Sequence, residues 1–267
     1  MMNASHREEV RNSQPLGSGS RGDPTNLSGT GGDWRTLYTV GAVAAVVTVL
    51  LIPVAIMAHV LWPPPPWAPG AAGDWFAYLQ QNWIAGLLNL DLLLAVSLVL
   101  SIPFYLALYT VLRPTSPSAT LIATAIALFS TMVHLVSITA FELLAFSQAH
   151  AAATTEMQRA TYLAAGEAAL AAYYGTAFQV SYLLGYVAYI IIGAVMLRST
   201  IFSRATAYVG VLTGIAGFGF YLPTIGLFLS IVVVLLVAVW NILVARRLFQ
   251  LGRRAAPIIR DQPALLA

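Results

Sequence analysis

Long apolar runs separated by short polar breaks dominate this chain from residue 36 onward. The first run, 36–62, stops at the proline series Pro63–Pro66. Five more follow, at 83–112, 119–147, 177–197, 205–222 and 227–245. A helix rises 1.5 Å per residue, so about 20 residues cross the hydrocarbon core of a bilayer. Each run is read as one crossing. The last two are short, and Pro223-Thr224-Ile225-Gly226 between them reads as a tight turn. A single helix kinked at Pro223 is the alternative, and it gives five spans. The stretch 205–245 is about twice the length of one crossing, which favours six.

The polar segments frame these runs. Residues 1–34 are rich in Gly, Ser, Thr and Asn, too polar to offset their own ordering entropy, and read as a disordered tail. The Arg-Gly-Asp triplet at Arg21–Asp23 lies within that low-complexity stretch and is read as chance. The first apolar run follows a long polar segment and exceeds the length of a signal-peptide core, so it is expected to remain as an anchor. Residues 63–82 carry Trp67, Trp75, Phe76 and Tyr78, with Trp83 just beyond, and are expected to lie along the outer interface. Residues 154–176 read as an outer helix started by a capping box of Thr155 and Gln158. In that helix Glu167 is read as a solvated charge or a partner of Arg159. Residues 253–267 form a C-terminal tail, leaving 35–252 as one membrane domain.

Composition agrees with a lipid environment. Hydrophobic residues make up 59% of the chain and charged residues 9%, too few charges to coat a water-soluble globule. The basic residues are all arginine, and their placement gives a direction. Arg35, Arg113, Arg198, Arg204, Arg246, Arg247, Arg253 and Arg254 fall at one set of span ends, with Arg7, Arg11, Arg21 and Arg260 in the tails on that side. Only Arg159 falls opposite. The positive-inside rule then puts both termini in the cytoplasm and supports six spans, because five would separate the C-terminal arginines from the rest. The fold expected is all-α: a polytopic transmembrane bundle in a plasma membrane, with the lipid bilayer as its partner. No basic face exists for nucleic acid to track, so none is expected to bind. Cysteine is absent, which removes disulfides and thiolate chemistry.

Within the runs, Gly41 with Ala45, Gly210 with Gly214, and Thr213 with Gly217 have the small-residue spacing by which membrane helices pack. Pro53 and Pro103 are expected to kink their helices. Ionisable groups in hydrocarbon are costly and usually face a cavity or a partner. Asp91, Glu142, His59 and His134 fall in the outer half or middle of the predicted spans. Asn89 stands beside Asp91, and Ser137 shares the face of His134. His59, Asn89, Asp91, His134, Ser137 and Glu142 are therefore the candidate polar set, read either as a structural hydrogen-bonded network hydrated near the interface or as an outward-facing pocket open to a small-molecule ligand. No catalytic residue is assigned and no cofactor is expected. No nucleotide-binding loop or nucleophile elbow is present. The leading reading is a non-enzymatic membrane protein. One alternative is a transporter coupling protons or cations through Asp91, Glu142 and His134. Another is an intramembrane hydrolase whose metal is held by the histidines and carboxylates.

Four stretches carry a family likeness: Asn89-Leu90-Asp91; Ile102-Pro103 through Leu106, Tyr109 and Arg113; Tyr162 through Glu167; and Trp240 through Leu248. Over about residues 36–252 the chain resembles the bacterial membrane proteins of domain-of-unknown-function family 4386. That resemblance implies a multi-span bacterial membrane protein and carries no catalytic residues with it.

Overall fold

The computed structural model describes residues 30–254. The N-terminal tail before residue 30, including Arg21–Asp23, and the end of the C-terminal tail lie outside the described residues. Everything regular among the described residues is helix. In chain order the helices are α1 (Thr30–Leu61), α2 (Ala72–Gln81), α3 (Trp83–Asn89), α4 (Leu92–Leu112) and α5 (Pro117–Ser137). They continue as α6 (Ala140–Ala152), α7 (Glu156–Tyr173), α8 (Thr176–Arg198), α9 (Arg204–Phe218) and α10 (Gly226–Arg254). A single 3-10 turn, Gly219–Tyr221, extends α9.

Five stretches are long and apolar enough to cross a membrane: Trp34–Leu61, Leu92–Leu112, Pro117–Ala152, Glu156–Arg198 and Gly226–Arg253. The fifth predicted crossing corresponds to α9, which has 15 residues and is the shortest of the helices that pack as a ring. The ring is closed: α1 packs on α4, α4 on α5, α5 on α8, α8 on α9, α9 on α10, and α10 back on α1. Arg35 Nε donates to the Gly252 carbonyl at 3.0 Å, holding the start of α1 against the end of α10. The Arg113 guanidinium sits over the Trp34 ring at 5.9 Å, bringing the end of α4 to the same place. At the other end, the Tyr221 hydroxyl donates to the Gln179 carbonyl at 3.1 Å, so α9 runs antiparallel to α8.

Small residues bring the ring helices close. A Cβ on Gly41 would lie 2.7 Å from Ala107 Cβ and 3.1 Å from the Pro103 carbonyl, so α1 and α4 touch almost backbone to backbone. On α9, Gly214 faces the Tyr186 carbonyl and Gly217 the Tyr186 ring. The bundle-packing role expected of these glycines is the one the structure displays.

The remaining helices, α2, α3, α6 and α7, form a cap, which carries Arg159, on the end opposite the other described arginines. Two departures from the sequence reading create it. The run 119–147 is not one rod: α5 stops at Ser137, Ile138 is extended, and α6 starts at Ala140 in a new direction. The Thr139 hydroxyl then donates to the Ala169 carbonyl of α7 at 3.1 Å, holding the break. The run 83–112 is likewise broken, by Asp91 in the left-handed region at φ 62°. As a result, the rings of α2 are not laid out at a headgroup surface. Trp75 and Phe76 are buried with Leu79, Leu87, Leu90 and Leu143 in a second core. Gly166 on α7 makes room for the Phe76 ring, which a Cβ there would approach to 2.5 Å. The first core, around Phe104, Leu108, Leu112, Met196, Trp240 and Val244, fills the arginine end of the ring.

Candidate functional site

Between these two cores the ring encloses a cavity of about 300 Å³. Its wall comes from α1, α4, α5, α8 and α10. Along α4 the lining runs from Leu94 to Tyr105, a depth of about 16 Å at 1.5 Å per residue. The surface is mostly apolar, with hydroxyls from Thr48, Ser97, Ser101, Ser130, Thr131 and Ser181. Tyrosines 105, 182, 186 and 189 add rings. No Asp, Glu, Lys or Arg lines it. Below it the first core closes the way to the arginine end. On one side Val234, 42% exposed, belongs to the wall, so the cavity reaches the outer surface of the bundle along α10.

Most of the hydroxyls are already committed. Ser97 donates to Leu93, Ser101 to Leu98, and Thr131 to Ala127, each within its own helix. Ser130 crosses to the Ser181 carbonyl at 2.7 Å, tying α5 to α8. Gly185 allows this approach, since a Cβ there would stand 3.2 Å from Ser130 Oγ.

His134 and Asn241 differ from the hydroxyls. Both are buried, at 6% and 5% exposure, and both line the cavity. The Ser181 hydroxyl donates to the Phe178 carbonyl at 2.6 Å and lies 3.1 Å from His134 Nδ1. A hydroxyl has one hydrogen, so Ser181 accepts from Nδ1–H. Neutral His134 is therefore the Nδ1–H tautomer, and Nε2 carries an unshared lone pair with no partner among the described residues. The Asn241 amide makes no side-chain hydrogen bond there either. Neither group is sealed off: both face the cavity, where a ligand or water can satisfy them.

The other residues expected in the pocket are elsewhere. His59, exposed at the end of α1, lies 3.1 Å through Nδ1 from Asn89 Oδ1. Asn89 donates to the Trp62 carbonyl and to the Tyr78 hydroxyl, both at 3.0 Å. Tyr78 in turn donates to Trp62 at 2.6 Å. Burial raises the Tyr78 pKa from its ordinary value, with the Asn89 hydrogen bond opposing, so the phenol keeps the proton it donates. These groups tie α1 to the cap. Asp91 accepts from the Tyr173 hydroxyl, and Tyr173 stacks on Trp67 with centroids 4.5 Å apart. Ser137 donates back to the His134 carbonyl at 2.7 Å. Glu142 is exposed in the first turn of α6, because the break at Ile138 swings it out of the line of α5.

The six residues thus form three local groups and one outlying carboxylate. His134 with its neighbour Ser137 is the only one of these groups to meet the cavity. The coupling set of Asp91, Glu142 and His134 does not assemble. Among the described residues no three His, Asp or Glu side chains gather as a metal site. Glu167 is not a free surface charge. It accepts from the backbone amides of Ala72 at 2.8 Å and Gly70 at 3.0 Å, and so caps α2. Sequence reasoning missed Ser181 and Asn241. Asn241 sits in the last third of the sixth predicted span and midway along α10, where a lone amide in an apolar run was the available signal.

No family model, curated protein or solved structure matches the chain.

Proposed function

We propose that this chain is a six-span membrane protein whose central cavity binds a small, neutral, largely apolar molecule bearing a hydrogen-bond donor. The observation that carries this reading is the pair of His134 Nε2 and the Asn241 amide, both in the cavity wall and neither with a hydrogen-bond partner among the described residues. The apolar lining suits an apolar body, and the Nε2 lone pair suits a donor such as a hydroxyl. The absence of charge from the wall disfavours an ion, which would lose its hydration without a counter-charge. The floor of packed apolar side chains favours binding over passage. Proton or cation coupling lacks the carboxylates it needs at this place.

The six-span architecture rests on the ring. With α9 and its 3-10 turn end to end, the fifth segment reaches about 28 Å, close to the hydrocarbon thickness. Arg35, Arg113, Arg198, Arg204, Arg246, Arg247 and Arg253 belong to helix ends or connections on one side, which supports cytoplasmic termini. The resemblance to family 4386, and with it a bacterial plasma membrane, belongs to this same reading.

Three probes of one shape test the binding claim on the full chain in neutral detergent: 1-naphthol, naphthalene and 1-naphthoate. A ligand at a hundred times its Kd stabilises the folded state by about 2.7 kcal/mol. We expect 1-naphthol to raise the Tm most, naphthalene less, and 1-naphthoate not at all. Equal responses to naphthol and naphthoate, or none to any of them, overturn the reading.

A further inference from the structure

The arginine end carries a second kind of site. We propose that the grooves on either side of Arg246 and Gln250 of α10 hold the phosphate headgroup of an anionic phospholipid, with its chain lying along α1 and α10.

Two cavities share these residues. One, about 280 Å³, lies between the α8–α9 connection and α10 and is lined by Ser203, Thr206, Arg246, Arg247 and Gln250, among others. The other, about 510 Å³, lies between α1 and α10 and is lined by Val46, Ile242, Phe249, Arg246, Gln250 and Arg253. The second has the layout of a lipid. Val46 and Ile242, 36% and 51% exposed, lie deeper along the helices, and Arg246 and Arg253 stand at the rim. Ile242, Arg246, Phe249 and Arg253 recur at spacings of four and three, so one face of α10 passes from apolar to cationic over three turns.

Nothing described at this end neutralises the charge. Every carboxylate whose side chain is described, namely Asp74, Asp91, Glu142, Glu156 and Glu167, belongs to the cap or to the turn before α4. The one ion pair among the described residues, Arg159 with Glu156, is also there. Arg247 donates from one guanidinium nitrogen to Gln250 at 3.0 Å, while its Nε is buried with no partner among the described residues. A guanidinium fork presents its donors to phosphate oxygens, and anionic headgroups attract arginines near the surface. The α9 dipole adds to this: its positive end, capped by Ser203, borders the first cavity.

The test uses the full chain in neutral detergent, with Tm read against phosphatidylglycerol, phosphatidylcholine or inorganic phosphate at matched phosphate concentration. The expected result is a Tm rise with phosphatidylglycerol that neither of the others reproduces. Each arginine removed should raise the phosphatidylglycerol concentration needed by roughly fivefold, for Arg246→Gln alone and again for Arg246→Gln with Arg247→Gln. Replacing both by Lys should keep most of the response. Arg246 is exposed, so the single variant supplies a reading if the double variant does not fold. An equal response to phosphatidylcholine shows ordinary lipid solvation, and an equal response to inorganic phosphate shows a free-anion site. Either outcome, or a wild-type response from Arg246→Gln, overturns the proposal.

Discussion

Ser181 and His134 fix each other's hydrogens. The Ser181 hydroxyl gives its proton to the Phe178 carbonyl and stands 3.1 Å from His134 Nδ1. That arrangement turns the lone pair of Nε2 into the one strong acceptor the imidazole presents to the cavity. Removing Ser181 releases the tautomer. Ser181→Ala should therefore weaken 1-naphthol binding about fivefold, the worth of roughly one hydrogen bond. The Tm response across naphthol concentrations measures this, and an unchanged response would show that Nε2 is not the contact.

Asp91 holds a left-handed backbone and accepts from a buried tyrosine, so two costs meet at one residue. Asn tolerates that conformation and keeps an oxygen for Tyr173, so Asp91→Asn should cost under about 1 kcal/mol. Asp91→Val strains the backbone and leaves the Tyr173 hydroxyl unpaired, for about 2–4 kcal/mol. Thermal unfolding of both variants compares them. A Val variant as stable as the Asn variant would contradict this account.

Glu167 reaches across from α7 to the first amides of α2, whose own N-cap, Ala71, has no side-chain cap. Glu167→Ala should destabilise the cap by about 1–2 kcal/mol, as loss of a charged N-cap does. Hydrogen exchange should rise over 70–76 and stay unchanged in α4 and α5. Uniform acceleration, or none, would show that the carboxylate does not hold α2.

Two glycines should respond in opposite directions to alanine. A Cβ on Gly214 would stand 2.6 Å from the Tyr186 carbonyl, so Gly214→Ala must push α9 off α8, at about 1–3 kcal/mol. A Cβ on Gly73 meets only Leu163, at 3.8 Å. Gly73 lies inside α2, so Gly73→Ala should gain up to about 1 kcal/mol from helix propensity. Tm values for the pair check both signs.

The absence of cysteine makes the fifth segment directly testable. Thr200→Cys precedes α9 and Leu222→Cys follows its 3-10 turn, and both positions are exposed. An impermeant maleimide should label them from opposite sides of the membrane. Labelling from one side would make α9 a re-entrant helix and the span count five.

The all-helical class and the membrane location were legible in the sequence by itself, because lipid leaves the backbone no partner but its own helix and few charges can be tolerated. Arginine placement supplied the polarity proposed for the bundle, since the position of basic residues relative to the apolar runs is readable without the packing. The polar pocket was only partly legible. His134 reaches the cavity as its position implied, but periodicity assumes an unbroken rod. Ile138 and Asp91 break two of them, sending Glu142 outward and binding Asp91 to Tyr173. His134 finds its partner Ser181 47 residues away and Asp91 finds Tyr173 82 residues away, while Asn241 joins the cavity wall from α10. Only the packing of the ring and of the cap brings them together. Local composition determines that a segment is helical and buried in lipid, whereas the tertiary packing of helices distant in sequence decides which polar atom finds a partner and which is left facing the cavity.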